Sequence, residues 1–405
     1  MIGAILQTRN IGPQDVFLTG KPDINFIKQV YRQYDNFAIE DIKILANEKV
    51  DFGNLITFNI KHDGDYLYKL FFCFSLPILT PGLGSSFCGW TNSLGHAIIE
   101  YCDFEINGNR INRMYGLFME IWHELSITTN PAKDLLIGKY SHPQMLMNNA
   151  SINTDYRIPL QFWFSSNISS ALPLFKLSRS TIKISIQLKR FDECIIYDGI
   201  VAPNTVSIKN SYLHTQYIFI ADTLKNIIKN QNQVFLIEQL QTATSKGDFM
   251  GLNSRYKGIL QFNHPVKELL FVAREIESEN NNDWFNFSIR NGVINTPILP
   301  LIQSAKLVID GRDRCTLMDS FSLSILNSSI YHTNTTDKYI YTMPFCDCPE
   351  KWIPTGSLNF SAVDSAVLYI DIAQGSIPRS RIFIYARNYN WLSISNGFAK
   401  LLFNS

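Results

Sequence analysis

Charge is scarce in this chain. Only 18% of its 405 residues are Asp, Glu, Lys or Arg, where soluble domains average roughly 25%. What charge there is nearly cancels, with 36 basic against 35 acidic residues leaving a net +1. No basic arm stands out: the first 37 residues carry Arg9, Lys21, Lys28 and Arg32 against Asp15, Asp23 and Asp35. Nucleic-acid binding draws much of its affinity from neutralised phosphates, so direct nucleic-acid binding is not expected. Long apolar runs are missing too. The best candidate, Tyr66 to Leu79, is interrupted by Lys69, and nothing reaches the roughly 18 residues of a membrane helix. Met1 to Leu6 is too short for a signal-peptide core and Gly is not at position 2, so a protein made and kept in the cytosol is expected. Seven cysteines, an odd number, fit free thiols there. The sequons at Asn149, Asn167, Asn286, Asn327, Asn334 and Asn359 then read as chance products of an Asn-rich chain.

Catalytic patterns are absent as well. There is no Gly-x-Ser-x-Gly elbow, no phosphate loop and no Gly-x-Gly-x-x-Gly, which removes the commonest hydrolase, nucleotide and dinucleotide sites. His123-Glu124 lacks the second His of a zinc-protease helix and reads as a helix-surface pair. Cys346-Asp347-Cys348 has only Cys315 and His332 as near neighbours, neither of them paired, short of a tetrahedral zinc set. No catalytic residue, cofactor or metal is therefore assigned, and an enzyme is not expected.

What the chain does have is apolar and aromatic material in strand-like order. Hydrophobic residues make up 46%, with 28 Phe and 18 Tyr. Ile182, Ile184, Ile186 and Leu188 alternate with Lys183, Ser185, Gln187 and Lys189, which puts one face in a core and the other outward. Tyr66, Tyr68, Leu70, Phe72, Phe74 and Leu76 form another alternating set, following Ile56, Phe58 and Ile60 across His62-Asp63-Gly64-Asp65. The Asp-Gly pair predicts a hairpin there. Asn107-Gly108 predicts a second hairpin after Cys102, Phe104 and Ile106. Asp310-Gly311-Arg312 follows Ala305, Leu307 and Ile309 in the same way. Gly108 and Gly311 are half a chain apart, so the second half reads as a repeat of the first. Leu368, Ile370 and Ile372, then Ile382, Ile384 and Ala386, continue the alternation. Helices are few: one from Asp23 to Tyr34, one through Tyr115, Phe118, Ile121, Trp122 and Leu125, and one over Asp222 to Asn230. A chain this long with many short strands predicts two tandem all-β sandwiches. Periodicity alone leaves jelly-roll and immunoglobulin-like topologies open.

Longer motifs add a resemblance. Gln14-Asp15-Val16-Phe17-Leu18-Thr19-Gly20-Lys21-Pro22 runs on to Tyr31-Arg32 and Asn36-Phe37. Gly95-His96-Ala97, Tyr115-Gly116 through Trp122, and Pro159 through Trp163 follow. The second half contributes Phe262-Asn263-His264-Pro265-Val266-Lys267-Glu268-Leu269, Pro354-Thr355-Gly356-Ser357-Leu358-Asn359-Phe360-Ser361 and Ala386-Arg387-Asn388-Tyr389-Asn390-Trp391. In this order the motifs resemble the major capsid proteins of nucleocytoplasmic large DNA viruses, the double jelly-roll capsid family.

The resemblance implies two tandem eight-stranded jelly rolls with a few short helices. It implies an N-terminal segment, residues 1–24, at the inner side of the capsomer, a first roll over 25–222, a linker at 223–232 and a second roll over 233–405. It implies homotrimers that tile an icosahedral shell, with partners in neighbouring capsomers, minor capsid proteins and an internal viral membrane. Assembly would take place in the host cytoplasm, and the motif residues, with Gly311, would be structural. Two other readings stay open: a divergent, minor or paralogous capsid protein of the same type, and a glycan-binding jelly-roll attachment protein using Trp90, Trp284 or Trp352 near predicted loops.

Overall fold

The computed structural model describes residue 21 and residues 34–127, 130–229, 233–244, 255–289, 299–372 and 379–403. The motif residues Gln14, Asp15, Leu18, Thr19, Gly20, Pro22, Tyr31 and Arg32, and the helix expected from Asp23, lie outside them. Ala38–Ser405 forms one compact unit.

In the first half the strands are β1 (Phe37–Ile44), β2 (Leu55–Ile60), β3 (Tyr66–Leu76), β4 (Cys88–Trp90), β5 (Ile99–Ile106), β6 (Asn109–Tyr115), β7 (Thr154–Pro159), β8 (Leu172–Pro173), β9 (Ile182–Leu188), β10 (Ile195–Tyr197) and β11 (Lys209–Ile220). In the second they are β12 (Gln233–Thr244), β13 (Arg255–Ile259), β14 (Pro265–Glu275), β15 (Ile302–Ile309), β16 (Arg312–Asp313), β17 (Met318–Asp319), β18 (Tyr341–Pro344), β19 (Leu358–Asn359), β20 (Ala366–Ile372), β21 (Ser380–Ser395) and β22 (Phe398–Leu401). Short helices interrupt them: α1 (Leu94–Ala97), α2 (Gly116–Ser126), α3 (Pro131–Ile137), α4 (Pro143–Ala150), α5 (Asp222–Lys229), α6 (Ile276–Asn280) and α7 (Asn327–Tyr331).

Strand order settles the topology that periodicity left open. The first half folds into sheets β1-β11-β3-β7 and β2-β9-β5-β6, the second into β12-β21-β14-β18 and β13-β20-β15-β16. Set aside the short strands β4, β8 and β10, then β17, β19 and β22, and count the rest in chain order within each half. Both halves then read 1-8-3-6 facing 2-7-4-5. First pairs with last, second with seventh, and alternate pairs go to opposite sheets. Each half is thus one long antiparallel ribbon rolled up, which is the jelly roll. The Gly108 and Gly311 turns join the fourth and fifth strands of their respective rolls. Asn107 and Gly108 have φ of 53° and 76°, and Asp310 and Gly311 of 48° and 75°, the paired positive values a tight two-residue hairpin requires.

Two expectations about strands need correction. His62 to Asp65 does not close a hairpin, because β2 pairs with β9 and β3 with β11, in different sheets. The turn is a corner between sheets. The alternating set in β3 also slips: Thr215 faces Leu70 while Tyr217 faces Leu67, so an extra residue shifts the phase. Leu67 is therefore buried, and Tyr66 and Tyr68 are only partly covered.

The cores explain why the two rolls form one body. Leu269, Phe271, Ala273, Ile382, Ile384 and Ala386 fill the second roll's own core. Their alternate neighbours Leu270, Val272 and Tyr385 belong to the larger core that holds the first roll's Phe58, Phe72 and Phe104. Strands β14 and β21 thus bury both faces, one in each core. Tyr385 meets Phe118 of α2 with ring centroids 5.5 Å apart.

Candidate functional site

The polar side chains that are buried most deeply gather along this seam, around α2. Nearly every side of α2 is covered. Phe118, Ile121 and Leu125 are buried as the periodicity predicts, and so are Glu120, His123 and Glu124. The surface reading of His123-Glu124 is therefore wrong. The helix is roofed by the second roll, so its polar face had to find partners inside the protein.

It finds them in the segment that precedes β18. Lys338 Nζ lies 3.2 Å from Glu120 and 2.6 Å from Glu124, and Lys139 Nζ lies 2.8 Å from Glu124. His96 Nδ1 and Ser93 Oγ complete Glu120 at 2.7 and 3.0 Å. Burial works to raise the Glu120 pKa, but Lys338, Lys139 and His96 overcome it and hold the carboxylate well below its ordinary range. His123 turns instead to Asp134 of α3, at 2.7 Å. The second-roll backbone joins in, with Asn334 N donating to Leu125 O at 2.8 Å.

A second cluster lies on the Trp122 side of α2. Arg387 of β21 donates to Glu268 and Glu238, each at 2.7 Å. Lys267 donates to Glu238 at 2.5 Å and to Lys351 O at 2.8 Å. His332 stands between Glu268, 3.1 Å from Nε2, and Glu350, 3.2 Å from Nδ1. The Nε2 approach is an ion pair whose angles fall short of a hydrogen bond. Lys267 and Glu268 are sequence neighbours, yet both enter this cluster. A β-bulge between Val266 and Glu268 makes that possible by breaking strict alternation. The first roll closes the cluster with Trp122, whose ring centroid lies 3.7 Å from the Arg387 guanidinium carbon, a close cation–π stack. Burial pulls the His332 pKa down, but Glu268 and Glu350 outweigh it and lift the group to about 9. Glu268 is held at about 2: His332 and Arg387 together outweigh a burial effect that would raise it.

Three cations and three carboxylates thus meet around Arg387, largely out of water. Buried pairs of this kind add little net stability over an apolar filling, yet removing one partner costs roughly 3–5 kcal/mol. All six charges belong to the second roll, and the first roll meets them through the Trp122 ring. Other polar contacts cross between the rolls. Gln239 of β12 donates to Ile111 O at 2.5 Å, and Leu240 N to Asn112 Oδ1 at 3.1 Å. Strand edges β12 and β6 therefore cover one another, which removes two sites for uncontrolled pairing. Every carboxylate of the two clusters is engaged by a cation. Among the described residues no group of three His, Cys, Asp or Glu side chains gathers as a metal set. The arrangement holds parts of the protein together.

The sequence motifs sort into distinct jobs. Trp122, Lys267 and Glu268 join the Arg387 cluster. Gly116 is a close-approach residue, since a Cβ there would lie 2.1 Å from both His96 O and Ile99 O. Gly95 is similarly crowded by Ile158 and Ile137. Asn388 and Asn390 are buried on β21 and bind Gln241 and Gln239 of β12 at 3.0 and 2.8 Å. Asn263 N donates to Gln241 Oε1 at 2.9 Å. His264 sits at φ 67° and ties its backbone to Ser361 and Phe360, leading through Pro265 into β14. Asn359 Oδ1 accepts from Ser361 N at 3.1 Å, which seats the buried Phe360. Trp163 packs edge-on against Phe104, and Pro159 pairs with Phe71 at the end of β7. Asn36, Phe37, Gly311, Pro354 and Gly356 are exposed and join neither cluster. Of the tryptophans considered for a glycan platform, Trp90 is buried and Trp284 lies in the seam beside Lys189, while Trp352 is exposed.

Arg387 and Glu120 sat inside motifs of the sequence but carried no distinguishing signal. Glu238, Glu350, Lys139 and Lys338 were missed, and His332 was weighed only as a neighbour of Cys346-Asp347-Cys348. Only the fold brings residues 120 and 338 together.

The comparisons agree with this architecture. Residues 25–222 match the family described as major capsid protein N-terminus, and residues 225–400 match that described as large eukaryotic DNA virus major capsid protein. The major capsid protein of Pyramimonas orientalis virus is 28% identical across the full length of both chains. That of Phaeocystis pouchetii virus is 27% identical, again over the whole of each. The structure also superposes on a chain of the PBCV-1 virus capsid with a TM-score of 0.80, covering 94% of this chain and 100% of that one at 24% identity. At that identity the match shows the shared fold.

Proposed function

Since the chain belongs to the major capsid protein family of large eukaryotic DNA viruses and is a structural protein of the virion capsid, not an enzyme, we propose that three copies assemble into a pseudo-hexagonal capsomer that tiles an icosahedral shell. The observation that carries this reading is the repeated strand order in two rolls, joined across their seam by the buried pairs of Lys338 with Glu120 and Glu124. Three such two-lobed bodies around an axis give six similar corners, and closed symmetric assembly needs rigid subunits of this kind.

Exposed apolar surface supports it. Leu317, Phe321, Leu326 and Ile330 are all exposed, at intervals of four, five and four residues. The five-residue step falls on the π-helical turn Ser322–Leu326, where i to i+5 bonding brings residues five apart onto one face. A stripe of this kind suits burial against a second copy.

The division into rolls at 25–222 and 233–405 with a linker at 223–232 is part of the proposal. It is supported by the family matches that end at 222 and resume at 225, and by α5 between β11 and β12. Residues 1–24 are proposed to face the inner side of the capsomer, near minor capsid proteins and the internal membrane. Assembly is placed in the host cytoplasm, and a net charge of +1 supports a shell that does not bind the genome directly.

Light scattering on the purified protein tests the core of this reading. The expected mass is three times the 46.4 kDa of one chain, with a hexagonal outline in negative stain. A stable monomer at micromolar concentration would overturn it.

A further inference from the structure

Charge is missing most completely at one end of the first roll. Residues 77–95, 143–154 and 199–208 hold no Asp, Glu, Lys or Arg. The chain's average of 18% would place about seven there. The fold gathers these three segments into one platform. Leu79 N donates to Ala150 O of α4 at 2.9 Å. Residues 82 and 201 pack so closely that a Cβ on Gly82 would lie 2.0 Å from Val201 O. Asp198, the charge at the border of the third segment, is taken up inside: it accepts from Ser86 N at 2.8 Å, Phe87 N at 2.7 Å and Ser85 Oγ at 3.0 Å. Ile78, Leu83, Met145, Ile152, Ile200 and Val201 stand on the outside, each at least 45% exposed and Ile200 92%. An open cavity of about 260 Å³, walled by Ile78, Leu79, Pro81, Cys88 and Met147, indents the platform. Apolar surface gathered in this way marks a contact site.

A charged partner would lose its water here and find no group to pair with, so the occupant is apolar. The second roll carries such a surface in the ridge of Leu317, Phe321, Leu326 and Ile330. The charge within that ridge, Asp319, is turned to its own backbone and accepts from Ser322 N at 3.1 Å. Ridge and platform lie at the same end of the body. Connections that follow odd-numbered strands of an antiparallel roll share one end. The platform is built from the third-to-fourth, fifth-to-sixth and seventh-to-eighth connections of the first roll, and the ridge from the fifth-to-sixth connection of the second. The two fifth-to-sixth connections touch, Asn334 N at Leu125 O and Lys338 at Glu120, so equivalent ends of the rolls stand side by side. Every side chain of ridge and platform named here is exposed, so the two do not cover each other within one chain. A closed ring of copies needs two unlike, complementary surfaces on each chain. A ridge on one roll and an indented platform on the other supply that pair.

We propose that the uncharged platform of the first roll receives the Leu317–Ile330 ridge of a second copy of this chain, with Phe321 seated at the cavity. The contact is head-to-tail, the first roll of one copy against the second roll of the next. This rests on the capsomer reading and adds which faces meet.

The test is light scattering at micromolar concentration on two exposed-surface variants of the full chain. Leu83→Asp with Ile200→Asp spoils the platform, and Phe321→Asp with Leu326→Asp spoils the ridge. Each alone should stay at the 46.4 kDa of one chain. An equal mixture should reach twice that mass and no more, because it retains one sound platform and one sound ridge and cannot close a ring. Should an Asp variant fail to fold, Leu83→Ala and Phe321→Ala decide: each should raise the concentration at which the wild-type trimer dissociates by about tenfold or more. A full trimer in either Asp variant, a mixture that stays monomeric, or unchanged dissociation in both Ala variants would overturn the proposal and leave the capsomer reading standing. Flotation of a trimeric platform variant's wild-type parent with phosphatidylcholine vesicles would then show a lipid surface as the occupant. A monomeric wild type would overturn both readings.

Discussion

Raising the pH should destabilise the second roll at its Arg387 cluster through one residue, His332. Its imidazole is buried between Glu268 and Glu350, and its pKa rises from an ordinary 6.5 to about 9 in the folded protein. The folded state therefore holds the proton more tightly than the unfolded chain. Its stabilising contribution is complete below pH 6.5 and is lost as pH climbs through 9. At 1.36 kcal/mol per pKa unit, a shift of about 2.5 units corresponds to about 3 kcal/mol. Lys189 works in the opposite sense. Its folded pKa is lowered to about 8 from 10.5, so the cost of burying its charge is relieved between pH 8 and 10.5, and stability rises there. The wild-type profile thus contains two opposed terms, and a single curve would hide both. Urea unfolding from pH 6 to 10, followed by tryptophan fluorescence at fixed protein concentration, should be run on wild type and His332→Gln. The variant keeps hydrogen-bonding capacity but cannot titrate. Wild type should lose about 3 kcal/mol relative to the variant between pH 6.5 and 9. Parallel profiles would refute the assignment of a charged imidazolium at His332.

Other substitutions separate the physical terms. Arg387→Met leaves Glu268 buried without its guanidinium and should cost about 3–5 kcal/mol in chemical unfolding, whereas the double variant Arg387→Met, Glu268→Leu should recover much of that loss. Lys338→Met, facing Glu120 and Glu124, should cost a similar amount and make the unfolding midpoint rise on mild acidification, as the stranded carboxylates protonate. Gly116→Ala places a Cβ 2.1 Å from two carbonyl oxygens and should cost more than about 3 kcal/mol or prevent soluble expression. Gly311→Ala, with a φ of 75° but open space around it, should cost only about 1–2 kcal/mol, read as a modest drop in thermal midpoint.

Several elements were legible because local chemistry decides them. Asn107-Gly108 and Asp310-Gly311 form the hairpins they predict, since two consecutive positive φ values favour those residues wherever the chain goes. The alternation of Ile182 to Leu188 and of Ile382 to Ala386 marks strands whose apolar side is buried. Asp63-Gly64 misled because the same dipeptide can round a corner between sheets, and nothing local tells a corner from a hairpin. His123-Glu124 misled because the second roll covers their helix: Lys338 reaches Glu124 from far along the chain, and His123 turns inward to Asp134.

Sequence by itself determined that the chain makes two copies of a strand-rich unit, where tight turns fall and which residues face a core. These follow from side-chain period and backbone freedom, which are local. Side-chain period could not tell that the units are jelly rolls, because strand order depends on which distant strands pair; the motif resemblance implied it, and the tertiary structure shows it. It also decided that the rolls are one body, because strands β14 and β21 serve two cores at once. And it brought Glu120, His332, Lys338 and Arg387 out of three separate segments into charged clusters, because burial leaves an ionised side chain no stable option except a partner of opposite sign.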